Sequence, residues 1–279
     1  VKRILSLGAG VQSSTLALMA AYGEIEPIEA AVFADTQAEP ASVTAWLEVL
    51  RGLVDASPHP FPIYTVTGGS LEKVSVTLRT SRKTGYQYVR AMIPAFVAKP
   101  TGGKGLLARR CTAEYKIRPL LAFSRKIAKV PRGCTEIMFH TLIGISYDEV
   151  QRMKPARVPW TENIWPLIDM KFTREDCLRW MESKGFPRPP RSSCVFCPFH
   201  SDAEWLRLKT EEPVEFQRSV QFERDMQAAL RQATGAAKLQ GDAFLHSSLK
   251  PLDQVEFGDQ KGHIQIDMFG NECEGLCGV

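Results

Sequence analysis

Mainly apolar runs punctuate the first third of the chain, at Ile4 to Leu7, Ala30 to Ala34 and Ile63 to Val66. Runs this short and this apolar predict strands covered on both faces. The stretches near Ser14 to Tyr22 and Ser42 to Val54 have helical spacing, and the alternation predicts an α/β domain with a parallel sheet. A further strand is expected over Ile137 to Ile145. Before it, Ile117, Leu120, Leu121, Phe123 and Ile127 recur at helical spacing and predict a helix from about Thr112 to Lys129. The expected fold class is α/β, with a doubly wound, mostly parallel sheet.

Beyond Pro166 the pattern changes to short helices. Thr173-Arg-Glu-Asp176 and Ser201-Asp-Ala-Glu204 fit the capping box, and Val214 to Gln232 places Phe216, Val220, Phe222, Met226 and Leu230 roughly on one face. The proline-rich Phe186 to Arg191 reads as a rigid connector. These shifts predict an α/β domain over 1–168 and a helical, cysteine-bearing region over 169–279. Between the third and fourth strands, Thr77 to Arg110 is basic and glycine-bearing and reads as loops with a short helix.

At 279 residues and 44% hydrophobic, the chain can bury a large core, which excludes disorder as its main state. No apolar run is long enough to cross a bilayer, and the start reads as a strand, not a signal peptide, so a soluble, cytoplasmic protein is expected. The net charge of +4 permits nucleotide or nucleic-acid binding without arguing for either. Seven cysteines, two of them in Cys194-x-x-Cys197 and two in Cys273-x-x-x-Cys277, favour a metal site or thiol chemistry over a disulfide framework. Cys134 and Cys177 have no partner in this pattern and read as buried thiols.

The first strand runs into Gly8-Ala-Gly-Val-Gln-Ser-Ser14 and then a helix. A strand that turns through small residues into a helix N-terminus presents backbone N–H groups and a positive dipole end to an anion. Gly8 and Gly10 permit close approach to a phosphate, and Ser13 and Ser14 add hydroxyl donors. Neither a Walker loop nor G-x-G-x-x-G is present.

Ser6-Leu-Gly-Ala-Gly-Val-Gln-Ser-Ser14 resembles the phosphate-binding loop of the PP-loop superfamily, and more closely that of its phosphoadenosine phosphosulfate (PAPS) reductase branch. Phe33-Ala-Asp-Thr36, Arg110-Cys-Thr-Ala-Glu-Tyr-Lys-Ile-Arg-Pro119, Cys194-Val-Phe-Cys197 and Glu272-Cys273 follow in the family's order. The resemblance implies an adenine-nucleotide domain, in which Ser6, Gly8, Gly10, Gln12, Ser13 and Ser14 surround phosphate or sulfate oxygens. Phe33, Asp35 and Thr36 would lie beside the adenosine. Lys116 and Arg118 would neutralise the anion, and Arg152, in the segment after Gly144-Ile-Ser-Tyr-Asp148-Glu149, would hold the nucleotide. ATP-cleaving members carry Ser-Gly-Gly-x-Asp-Ser; Gln12 stands where that Asp helps arrange a magnesium ion, which favours a sulfonucleotide.

The resemblance also implies a 4Fe-4S cluster. Cys111, Cys194 and Cys197 match three of the cluster ligands of adenylylsulfate reductases, although Arg110 replaces one member of the upstream cysteine pair. The fourth ligand is assigned to Cys273, leaving Cys277 as the catalytic, sulfur-carrying thiol; the reverse assignment stays open, as does a zinc knot of Cys194, Cys197, Cys273 and Cys277. The tail Glu272-Cys-Glu-Gly-Leu-Cys277 resembles the reductases' Glu-Cys-Gly-Leu-His, with a Glu inserted and a Cys in place of the His.

Two mechanisms follow. In one, ATP adenylylates a nucleic-acid or small-molecule acceptor, which is then thiolated. In the other, a thiolate attacks the sulfur of a sulfonucleotide. The single Cys111, the altered tail and the basic insertion favour the first. A zinc-stabilised nucleic-acid-binding module is the competing expectation from another class. Sulfur donor, electron donor and oligomeric state are not legible in the sequence.

Overall fold

The computed structural model describes residues 1–99, 102–235 and 238–258. The elements begin with β1 (Lys2–Leu7), α1 (Val11–Ala21), β2 (Ala30–Asp35), α2 (Ala41–Asp55), β3 (Ile63–Thr67) and α3 (Leu71–Val76). Four short strands follow: β4 (Leu78–Thr80), β5 (Gln87–Val89), β6 (Phe96–Ala98) and β7 (Lys104–Leu106). A π-helical turn (Thr112–Ile117) leads into α4 (Arg118–Ile127), β8 (Phe139–Ile143), a 3-10 segment (Tyr147–Arg152) and β9 (Thr161–Ile164). The rest comprises α5 (Pro166–Asp169), α6 (Arg174–Ser183), α7 (Asp202–Glu211), α8 (Pro213–Arg231) and β10 (Ala243–Phe244).

By packing, the described chain forms two units, one of 1–68 and 112–193, the other of 69–111 and 194 onward. The boundary expected at 168/169 therefore falls inside the first unit. The physical reason is that α6 supplies Cys177 and Met181 to the core above the sheet, while the insertion after β3 packs with the later helices.

The first unit is a five-stranded sheet in the order β3-β2-β1-β8-β9, with every pair parallel. This is the order of a doubly wound sheet, and its direction of growth reverses between β1 and β8. Alternation along the strands divides the core. Leu5, Ala31, Phe33 and Leu142 pack against α1, α2 and α6 on one face. Ile4, Val32, Phe139 and Trp160 pack against Leu120 and Ala128 on the other. All eleven residues of α1 are buried, and the Trp46 indole N–H donates to Ser14 Oγ at 2.9 Å, tying α2 to it. The helix expected from 112 to 129 is instead a π turn followed by α4. Its apolar spacing is unchanged, because only one turn is widened.

The capping box at α6 forms in full: Thr173 Oγ1 accepts from Asp176 N at 3.2 Å and Asp176 accepts from Thr173 N at 2.9 Å. The Thr173 hydroxyl, its backbone N–H and the Arg179 guanidinium together hold the Asp176 carboxyl down at about 2.

The second unit pairs β4 with β5, and β6 with β7 and β10, all antiparallel. The segment expected to be loops and a short helix thus contains strands. Three residues per strand is too short for periodicity to register. Phe196 stacks on Phe222 at 3.9 Å, and Trp205 and Phe216 pack edge to face, which fastens α7 and α8 into one core.

Glu223, 1% exposed on α8, accepts the backbone N–H groups of Leu245 and Leu252, each at 2.7 Å, and so staples the following loop to the helix. Burial raises its pKa above the ordinary carboxylate value despite those bonds. Glu223→Gln turns one acceptor into a donor facing an N–H. We expect it to cost about 2 kcal/mol by urea unfolding and to expose the Leu245 and Leu252 amides to hydrogen exchange.

Candidate functional site

In an open parallel sheet the groups that can meet a ligand are those just past the carboxyl ends of the strands. A cleft of about 650 Å³, counting its open mouth, lies there in the first unit. Its apolar lining includes Leu7, Phe33, Ile117, Leu120, Leu121 and Ile143; Ser6, Gly8, Glu39, Lys116, Arg157 and Asn163 contribute polar groups. Apolar surface predominates over polar surface in this lining, as is usual for a small-molecule site.

Ser6 shows how the sequence produces this. It shares a sheet face with Ile4, and its Oγ is buried without a hydrogen-bond partner among the described residues. A buried hydroxyl in that state is costly, and a bound ligand would satisfy it. Glu39, between Ala38 and the Pro40 that begins α2, has a side chain only 4% exposed and an Oε2 that also lacks a partner among the described residues. Lys116 Nζ stands 3.5 Å from Glu39 Oε1 with its side chain 12% exposed. The widened turn at 112–117 carries Lys116 to this position.

Beside the cleft, the loop after β1 enters α1 through Ala9, whose φ of 57° is left-handed, and Gly10, which caps the helix with no side-chain hydrogen bond. The left-handed position is therefore held by an alanine, and the first N–H groups of α1 have no side-chain cap. The Ser192 hydroxyl donates to the Gly8 carbonyl and fixes the loop from outside.

Several sequence-predicted residues are engaged within the fold. Ser13 Oγ accepts from Gly8 N at 3.1 Å, Ser14 Oγ accepts from the Trp46 indole, and Asp35 Oδ1 accepts from Gln37 N at 2.7 Å to shape the turn after β2. Thr36 is fully buried. Gln12 Nε2 donates to Glu149 Oε2 at 3.2 Å, and Arg152 pairs with Glu149 at 2.7 Å, so these three form one network joining α1 to the loop after β8. A carboxylate thus reaches the position where Gln12 supplies none. Arg118 is 79% exposed, pairs with Glu114 and does not line the cleft. Ser6, Gly8, Phe33 and Lys116 are the predicted residues that do.

Sequence reading missed Glu39, Arg157 and Asn163 as lining groups. Glu39 looks like an ordinary acid at a helix start. Gly144, quoted only as part of the loop after β8, makes the close approach to α1. A Cβ there would stand 2.8 Å from Ser13 N and 3.0 Å from Ser13 Cα.

The cysteine region belongs to the second unit. Val195 and Phe196 are fully buried, Ser219 Oγ donates to the Val195 carbonyl at 2.9 Å, and Cys197 N donates to the Cys194 carbonyl at 3.0 Å. The Cys194–Cys197 turn is therefore rigid, as two thiolates aimed at one soft ion require. Cys111 arrives from Met92, whose carbonyl accepts its N–H at 2.7 Å, and Arg109 lies 5.4 Å over the Phe199 ring, bridging the two cysteine-bearing segments. Among the described residues, no three His, Cys, Asp or Glu side chains form a metal-holding group. Cys273 and Cys277 lie outside the described residues. The turn fits two ligands of a cluster or zinc site.

Cys177, 0% exposed against Thr15, has its thiol pushed up to about 12 by burial. Native alkylation followed by mass spectrometry should leave Cys177 unmodified until the protein is unfolded. His246 is buried, and its ring nitrogens meet Asp202 and Ser248. Among the described residues, no helix is long and apolar enough to cross a membrane. No known protein-family model matches the chain, and no curated protein matches it significantly.

Proposed function

We propose that the protein is an adenine-nucleotide-dependent sulfur-transfer enzyme of the PP-loop, PAPS reductase-like kind, with its nucleotide in the cleft at the ends of β1, β2 and β8. The observation that carries this reading is the pair of buried oxygens, Ser6 Oγ and Glu39 Oε2, that lack a hydrogen-bond partner among the described residues, beside Lys116 in an apolar-walled cleft. An adenine ring supplies the flat apolar surface such walls accept, and its exocyclic amine or the ribose hydroxyls supply donors for a carboxylate oxygen. Phosphate oxygens suit Lys116 and the uncapped start of α1.

In this reading an acceptor oxygen attacks the α-phosphorus of ATP, pyrophosphate leaves, and a sulfur nucleophile then displaces AMP. The carboxylate that Glu149 brings to Gln12 favours ATP over the sulfonucleotide that Gln12 alone suggests. Cys111, Cys194 and Cys197, with Cys273 or Cys277, are the proposed ligands of a 4Fe-4S cluster.

The test is product analysis with ATP and, separately, adenylyl sulfate plus a thiol reductant. Acceptor-dependent pyrophosphate release is the expected result. Sulfite release from adenylyl sulfate would shift the assignment to a reductase, and failure of the cleft to bind either nucleotide would overturn it.

A further inference from the structure

Eight of the chain's 35 Lys and Arg fall within 77–110, and none of its 31 Asp and Glu do. The fold presents these charges in a definite way. The β4–β5 hairpin is closed by Ser81 N to the Tyr86 carbonyl at 2.8 Å and Gly85 N to the Ser81 carbonyl at 2.9 Å, which leaves Arg82 and Lys83 exposed at its apex. Just below the turn it is clamped to the residues after α8: Gln87 N donates to Thr234 Oγ1 and Thr234 N to the Gln87 carbonyl, both at 2.9 Å. Tyr86 is 47% exposed, with one part of its ring against Gly235, where a Cβ would come within 2.4 Å. On β4, Arg79 faces Tyr88 across the pair, and its buried Nε lacks a hydrogen-bond partner among the described residues. In the second hairpin, Lys99 and Lys104 stand exposed on either side of the turn.

We infer that this two-hairpin insertion is a docking surface for single-stranded nucleic acid. A hairpin offering cations with no acid in its own segment matches a chain of phosphates, and an exposed tyrosine beside them offers a face on which an unpaired base stacks. An anionic membrane would call for an apolar anchor, and at this hairpin's tip the exposed ring belongs to a tyrosine flanked by polar residues. Docking stands on the charge and the hairpin geometry alone. Identifying the docked strand as the sulfur acceptor rests on the sulfur-transfer reading above.

The experiment is fluorescence anisotropy of the full chain with labelled 20-nucleotide RNA and DNA, single-stranded and duplex, across a potassium chloride series. Single strands should bind best, with affinity falling steeply with salt. R82E/K83E/K104E should weaken binding by about tenfold or more and flatten the log–log salt slope by about 2, near 0.7 for each phosphate no longer neutralised. Tyr86→Leu keeps the cover over Gly235 and should weaken single-strand binding by about fivefold or more without changing that slope. RNA preference over DNA, or the reverse, identifies which strand is docked. Lys116→Met should leave this affinity unchanged, which separates failure of docking from failure of the nucleotide cleft. No binding in low salt, binding indifferent to the charge reversals, or binding only to phosphatidylserine vesicles would overturn the inference.

Discussion

Lys116→Met should lower adenine-nucleotide affinity by about tenfold or more and destabilise the fold by about 3 kcal/mol. Both effects have one source. Glu39 has a side chain 4% exposed, and its described ionic partner is Lys116, itself 12% exposed. Removing the ammonium leaves a buried carboxylate uncompensated, which costs about 3–5 kcal/mol, much more than a surface ion pair is worth. The same ammonium lines the cleft and is the cation proposed to meet a phosphate, and a charge-assisted hydrogen bond contributes about 1.5–3 kcal/mol. The two losses are separable. Glu39→Gln combined with Lys116→Met should recover most of the stability in urea unfolding while calorimetry still finds weak nucleotide binding. If the double variant is no more stable than Lys116→Met alone, the pair is not the source of the effect.

Gly144→Ala should be the most damaging single-methyl change in the first unit. The added carbon would lie 2.8 Å from Ser13 N, 3.0 Å from Ser13 Cα and 3.2 Å from the Gln12 carbonyl carbon, all backbone atoms of the first turn of α1. Backbone cannot rotate away as a side-chain tip can, so α1 or the end of β8 must shift. Overpacking of this kind costs about 1–3 kcal/mol. Because the displaced turn is the one proposed to face the anion, nucleotide affinity should fall with Tm. Gly52→Ala is the control. It lies within α2 with nothing inside 4 Å of the added carbon, and it should raise stability by about 0.5–1 kcal/mol. Thermal unfolding of the two variants side by side should move in opposite directions.

β1, β2 and β8 were legible as strands because cover on both faces writes burial into nearly every position; β3 was expected to be covered likewise but lies at the sheet edge with Tyr64, Thr65 and Thr67 exposed. β9 was not legible, since Thr161-Glu-Asn-Ile164 carries three polar residues in succession at the sheet edge. The insertion's strands were hidden by brevity. Its membership in the second unit was hidden by topology, because the chain leaves the first unit after Gly68, re-enters at Thr112 and leaves again at Cys194. A linear reading draws one boundary where the described residues cross between the units three times.

At the site, the small-residue loop and Lys116 could be found from sequence. Glu39 could not, because an acid before a proline-started helix normally serves the helix dipole, and only its burial reveals another task. Ser14 erred in the opposite sense. Sequence cannot distinguish a hydroxyl that awaits a phosphate from one that receives the Trp46 indole.

Isothermal titration of the full chain with ATP and with adenylyl sulfate tests the central claim most directly. Saturable one-to-one binding of at least one of them, competed by AMP and weakened by about tenfold or more in Lys116→Met, is the predicted result. Binding of neither nucleotide, or binding of equal strength in Lys116→Met and Gly144→Ala, would contradict the assignment of the cleft.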